Sequence, residues 1–156
     1  MSTLSSQLTS IRCATALTPS GWQRNCVIKF DQSGRIESIR ENDDSAVDLY
    51  LEGTVIAGIP NLHSHAHQKV ITGRAEHRVA GQDDFWGWRE LMYRANASLN
   101  PEQLQTIAKY LYIDMLQKGY TSVAEFHYLH HQPDGSPYPD RSEMSARLLN
   151  AASEAG

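Results

Sequence analysis

Seven histidines occur in this chain of 156 residues, and six of them fall into two tight groups, His63, His65 and His67 in one and His127, His130 and His131 in the other. Neutral imidazole is a favoured zinc ligand, and alternate residues of an extended chain point the same way. His63 and His65 can therefore offer two nitrogens to one ion. The pair lies in PNLHSHAHQ, residues 60–68, directly after the apolar run VIAGI and a Gly-x-Pro turn. That is the setting of a strand end, and His63 and His65 are read as metal ligands. His67 continues the alternation, yet three such residues on one extended strand would span about 13 Å at roughly 3.2–3.4 Å per residue. His67 is expected instead to pack at the start of the helix that follows.

The second group sits in TSVAEFHYLHH, residues 121–131, where another apolar strand passes into a loop. Either His127 or His130 could complete a metal site there; the alternative is a polar loop whose histidines make hydrogen bonds. Between the two groups lies FWGWRELMYR, residues 85–94. Phe85, Trp88, Met92 and Ala95 have helical spacing and are assigned to the core. Arg89, flanked by aromatic rings, can present its planar fork to a carboxylate. A surface charge beside an acid is the other reading of Arg89.

These residues need a scaffold. Residues 11–17, 26–31 and 35–40 read as strands, separated by turn signals at Pro19-Ser20-Gly21 and Asp31-Gln32-Ser33-Gly34, and residues 41–45 form a polar break. Residues 1–52 are thus expected to form a small β unit. The run at 55–59 reads as a strand buried on both faces, as in a parallel sheet covered by helices. Asn100-Pro101-Glu102-Gln103 reads as a helix start with a capping box, followed by an apolar stripe of Leu104, Ile107, Ala108, Leu111 and Met115 and a stop at Gly119. Residues 120–126 form a second buried-strand candidate. Met144, Leu148, Leu149, Ala152 and Ala155 then mark another amphipathic helix. Strands alternating with helices imply a parallel sheet of βα units. A (β/α)8 barrel needs roughly 250 residues, so residues 53–156 are expected to be the first βα units of an incomplete TIM barrel, and the chain the front of a longer protein.

Composition narrows the class. Hydrophobic residues make up 40% and charged residues 21%, as in a globular protein, and the formal charge of −4 is spread without long single-sign runs. Such a surface lacks the basic footprint of a nucleic-acid or anionic-membrane binder, which points to a small-molecule partner. The N-terminus has no basic segment followed by an apolar h-region, so a cytoplasmic location is expected. Cys13 and Cys26 are then expected as small buried thiols rather than a disulfide.

PNLHSHAHQ and its strand resemble the first metal-binding strand of the amidohydrolase superfamily, zinc-dependent hydrolases on a (β/α)8 barrel with a small β-sandwich. More narrowly, FWGWRELMYR, the helix opening NPEQL and the run GYTSVAEFHYLHH are similar to the formimidoylglutamate deiminases of histidine degradation. The resemblance covers most of residues 50–156. It implies Zn2+ as cofactor, His63 and His65 as its ligands, and Gln68, Arg89 and Tyr128 as substrate-binding residues for a dicarboxylate substrate. It implies hydrolysis of N-formimidoyl-L-glutamate to N-formyl-L-glutamate and ammonia, and a homodimer for the full-length protein. Position 67 is expected to be aromatic in relatives and is His here. The family's remaining ligands and acid/base Glu lie on later strands, so this chain alone is expected to hold only part of an active site, with no catalytic acid/base of its own. The competing readings are another aminohydrolase of the superfamily, of the purine or pyrimidine deaminase type, and a non-catalytic metal-binding fragment.

Overall fold

Turn chemistry builds the first sheet. In a computed structural model, which describes residues 8–74 and 85–156, β1 (Ser10–Thr18) turns through Pro19 and Ser20 into β2 (Gly21–Phe30). Thr18 Oγ1 donates to the Gly21 carbonyl at 3.0 Å and accepts the Ser20 N–H at 3.2 Å. Gly21 takes a φ of 99°, a left-handed value that suits a residue without Cβ. The next turn is an Asx turn, in which Asp31 accepts the N–H groups of Ser33 and Arg35 and leads into β3 (Ile36–Arg40). β4 (Leu49–Val55) returns in parallel on the other side of β1, giving the order β3-β2-β1-β4. Asp48 ties the starts of β1 and β4 together by accepting the N–H groups of Thr9 at 2.8 Å and Ser10 at 2.9 Å. The Thr9 backbone bond, with the neighbouring bonds, holds the Asp48 carboxyl below the usual carboxylate range.

Cys13 and Cys26 face each other in register across β1 and β2, both wholly buried and both free thiols. They pack with Ala16, Leu51 and Val55, and burial pushes both thiols up. The sequence expectation of two small buried side chains holds. β4 straddles residue 52, and the two compact units of the chain part between Ala57 and Gly58.

In the second unit β5 (Ile59–Ser64) and β6 (Tyr120–Glu125) form a parallel pair. The ladder begins where the Ile59 N–H donates to the Gly119 carbonyl at 2.9 Å. Here the expectation for residues 55–59 is corrected. The apolar run is split between the end of β4 and the start of β5, and Ile56 in the link is 52% exposed. Apolar content cannot mark where a chain leaves one sheet and joins another. Gly58 is required in the link, since a Cβ there would lie 2.2 Å from Thr121 Oγ1. β5 and β6 are also more exposed than strands buried on both faces, and among the described residues each has a paired neighbour on one side only.

A short 3-10 helix, Ala66–Ile71, follows β5, and then come α1 (Phe85–Asn96) and α2 (Pro101–Gln117), with α3 (Glu143–Ala155) after β6. α2 starts as the sequence predicts. Asn100 Oδ1 accepts the Gln103 N–H at 2.8 Å, and Gln103 Oε1 accepts the Asn100 N–H at 3.0 Å. Leu104, Ala108 and Tyr112 of α2 meet Met144, Leu148 and Ala151 of α3 in a core closed by Ala66, Leu99 and Leu129. Full burial of a side chain such as Leu104 contributes about 1.5–3 kcal/mol. Leu149, assigned to the stripe of α3, points outward, because the buried line runs along Met144, Leu148 and Ala151.

α1 differs from expectation more sharply. Met92 is buried, but Phe85 is 62% exposed and Trp88 also reaches solvent. Among the described residues α1 packs on the 3-10 helix, a surface too short to cover all its aromatic rings. No helix of the described residues is long and apolar enough to cross a membrane.

Candidate functional site

The C-terminal ends of β5 and β6 form the site. Strand alternation turns His63 and His65 to one side, and their Nε2 atoms approach to 2.7 Å with the rings nearly perpendicular. His65 Nδ1 lies 2.7 Å from the Phe126 carbonyl. A carbonyl can only accept, so the neutral His65 ring carries its proton on Nδ1 and keeps the Nε2 lone pair facing His63. At 2.7 Å the two rings share a hydrogen bond, and the same two nitrogens are donors that zinc accepts. An outer ring N–H held by a backbone carbonyl is also the usual support of a metal-binding histidine. The pair therefore fits the cation that the sequence implies.

The surroundings fix this arrangement. Phe126 N–H donates to the Ser64 carbonyl at 2.9 Å, and Glu125 Oε1 accepts the Ala66 N–H at 2.5 Å. His63 N–H is held by Asn61 Oδ1 at 3.1 Å. His67 lies in the 3-10 helix as expected, wholly buried, with its ring 4.9 Å from that of Tyr128 and 5.8 Å from that of His65. Burial, with smaller contributions from His65 and His127, pushes the His67 ring down to about 4, so it is neutral at physiological pH.

The other sequence-predicted residues divide. Tyr128 stands at the site, its ring 5.7 Å from that of His65, and Gln68 lies in the 3-10 helix next to His67, with Nε2 3.4 Å from Met92 Sδ. Arg89 lies on α1, its guanidinium over the rings of Trp86 at 5.4 Å and Tyr93 at 5.1 Å, and its Nε donates to Tyr93 Oη at 3.2 Å. This stacking restrains the fork while leaving its outer edge free of those rings. His127 turns elsewhere. Its Nδ1 meets the Leu129 carbonyl at 3.1 Å and its Nε2 meets Ser145 Oγ of α3 at 2.9 Å. His130 stacks on His127, and His131 forms a backbone bridge with Pro137. His77 is outside the described residues. Among the described residues no group of three or more His, Cys, Asp or Glu side chains converges as a metal site.

Two contributors were missed from sequence, Glu125 and the Phe126 carbonyl. A backbone carbonyl leaves no trace in residue type. The register that pairs Ser64 with Glu125 would have pointed to both.

No protein-family model matches the chain. It is 49% identical over 151 residues to the curated formimidoylglutamate deiminase of Pseudomonas aeruginosa, a match that covers 96% of this chain and 33% of that protein. A crystal structure of an amidohydrolase from Brucella melitensis superposes with a TM-score of 0.86 at 44% identity, covering 94% of this chain and 32% of the other. A triazine hydrolase from Arthobacter aurescens, 16% identical, shares the fold with a TM-score of 0.65 over 94% of this chain and 33% of its own. Over nearly all of its length the chain is thus similar in sequence to formimidoylglutamate deiminase and in fold to amidohydrolases, spanning about a third of each relative.

Proposed function

We propose that the chain carries part of the active site of a zinc-dependent deiminase that converts N-formimidoyl-L-glutamate and water to N-formyl-L-glutamate and ammonia, a cytoplasmic step of histidine degradation. In this reading residues 53–156 are the first βα units of a (β/α)8 barrel and residues 1–52 part of its small β-sandwich. The observation that carries it is the convergence of His63 and His65 Nε2 at the end of a parallel strand, in a chain 49% identical to a formimidoylglutamate deiminase.

His63 and His65 would hold the cation, and Phe126 keeps the His65 proton on the outer nitrogen. A bound divalent cation supplies Lewis acidity and activates water for attack near neutral pH. Arg89, stacked on Trp86 and Tyr93, offers two parallel N–H donors to one substrate carboxylate. Tyr128 offers a phenolic hydroxyl beside the histidine pair, and Gln68 both donates and accepts, which suits the amidine-like group.

The test is ammonia release by the full protein supplied with N-formimidoyl-L-glutamate. Arg89→Ala is expected to lose about 1.5–3 kcal/mol in kcat/KM, the usual contribution of a hydrogen bond to a charged group. Undiminished turnover in that variant removes Arg89 from the site. Ammonia released from a purine or pyrimidine amine but not from N-formimidoyl-L-glutamate overturns the substrate assignment.

A further inference from the structure

We propose that Glu125 is a positioning residue for the metal pair, holding His65 in place through the Ala66 N–H. The proposal rests on the reading of His63 and His65 as ligands. His65 is the single residue between the end of β5 at Ser64 and the start of the 3-10 helix at Ala66, and its φ of −136° and ψ of 76° belong to neither element. A residue at such a junction usually caps the helix with its own side chain. His65 makes no such cap bond, because its ring is turned to the Phe126 carbonyl. The Ala66 N–H is instead taken by Glu125 Oε1 at 2.5 Å, from the neighbouring strand.

His65 is therefore gripped on both sides by two adjacent residues, Glu125 at the end of β6 and Phe126 just past it. Phe126 accepts from its ring and donates to the Ser64 carbonyl just before it, and Glu125 accepts from the amide just after it. A hydrogen bond to a charged acceptor contributes about 1.5–3 kcal/mol, more than a neutral one. The carboxylate has little room to leave. Its Oε2 is sealed from solvent, and the buried Tyr112 phenol stands beside it, raised above its ordinary range by burial and then by Glu125. Mere helix capping would leave the aim of the His65 ring unaffected; gripping both flanks of one residue sets the direction of its Nε2.

The experiment compares the full protein with Glu125→Ala and Glu125→Gln. Zinc affinity is read by chelator competition, the His65 ring by 15N NMR of the metal-free protein, and folding by far-UV circular dichroism. Glu125→Ala is expected to bind zinc about 10–100-fold more weakly, the usual effect of losing a support of a metal ligand. Its His65 ring should leave the single Nδ1–H tautomer. Glu125→Gln, whose side-chain carbonyl can accept the same N–H, should recover most of the affinity and keep the tautomer. Wild-type affinity in Glu125→Ala, or Glu125→Gln as weak as Glu125→Ala, overturns the proposal. Should Glu125→Ala not fold, Glu125→Gln decides alone, since recovery of affinity and tautomer is expected there and loss of both contradicts the role. Should the unaltered protein bind no zinc, the metal reading fails, while the tautomer in the metal-free variants still decides what Glu125 does.

Discussion

The two histidine groups have the same residue type at nearly the same density, and the fold gives them opposite fates. In the first, strand geometry aims His63 and His65 together, and the Phe126 carbonyl just past β6 takes the outer nitrogen of His65, leaving the inner one turned to His63. In the second, the chain has left the strand, and both nitrogens of His127 are already used, one by the Leu129 carbonyl and one by Ser145. A histidine-rich stretch becomes a donor set when a regular backbone period directs the rings and at most one nitrogen of each is spent on support. In a loop the same rings satisfy the local backbone and the nearest helix.

Substitutions can break or sharpen this contrast. Gly58→Ala attacks the platform of the first group, because its Cβ would collide with Thr121 where β5 meets β6. A destabilisation of about 1–3 kcal/mol is expected in denaturant melts, with partial recovery on adding Thr121→Gly; an unchanged melt would mean that the strands do not approach this closely. Ser145→Ala attacks the second group by removing the partner of His127 Nε2. It should cost about 0.5–1.5 kcal/mol of stability and leave zinc affinity unchanged, so weaker zinc binding would tie the two groups into one site. His67→Phe replaces a buried imidazole whose ring nitrogens have no partner among the described residues. Up to about 1 kcal/mol of added stability is expected without loss of zinc, and lost zinc would make His67 a ligand.

The smallest effect is on pH. Burial, and then His130, lowers the His127 pKa below its ordinary value. Below about pH 6.5 the unfolded ring gains a proton that the folded ring resists, so stability falls as the pH drops through that range and levels off once the folded ring also protonates. His127→Gln should make this slope shallower, leaving the part that the buried His67 contributes, and an unchanged slope would show that His127 is not kept neutral by the fold.

Much of the scaffold is legible in the sequence because it rests on local chemistry. The Asn100 and Gln103 capping box, the stop at Gly119, the turn at Asp31 and the apolar stripe of α2 are all set by residues a few positions apart. The elements misread were those whose surroundings are distant in sequence. The run at 55–59 is divided between two sheets, and the aromatic face of α1 meets only a short helix among the described residues. At the site the pairing of His63 with His65 follows from period two alone. Its support by Phe126 and Glu125 depends on strand register, which no residue pattern states, and the turning of His127 toward Ser145 depends on where α3 packs.

The most direct test is a zinc competition titration of the full protein beside His63→Ala, His65→Ala and His127→Ala. Either substitution in the first pair is expected to weaken zinc binding by more than the about 10–100-fold typical of a supporting residue, with His127→Ala indistinguishable from the unaltered protein. Zinc bound as tightly without His63 or His65, or lost with His127, would contradict the assignment of the metal to the strand pair.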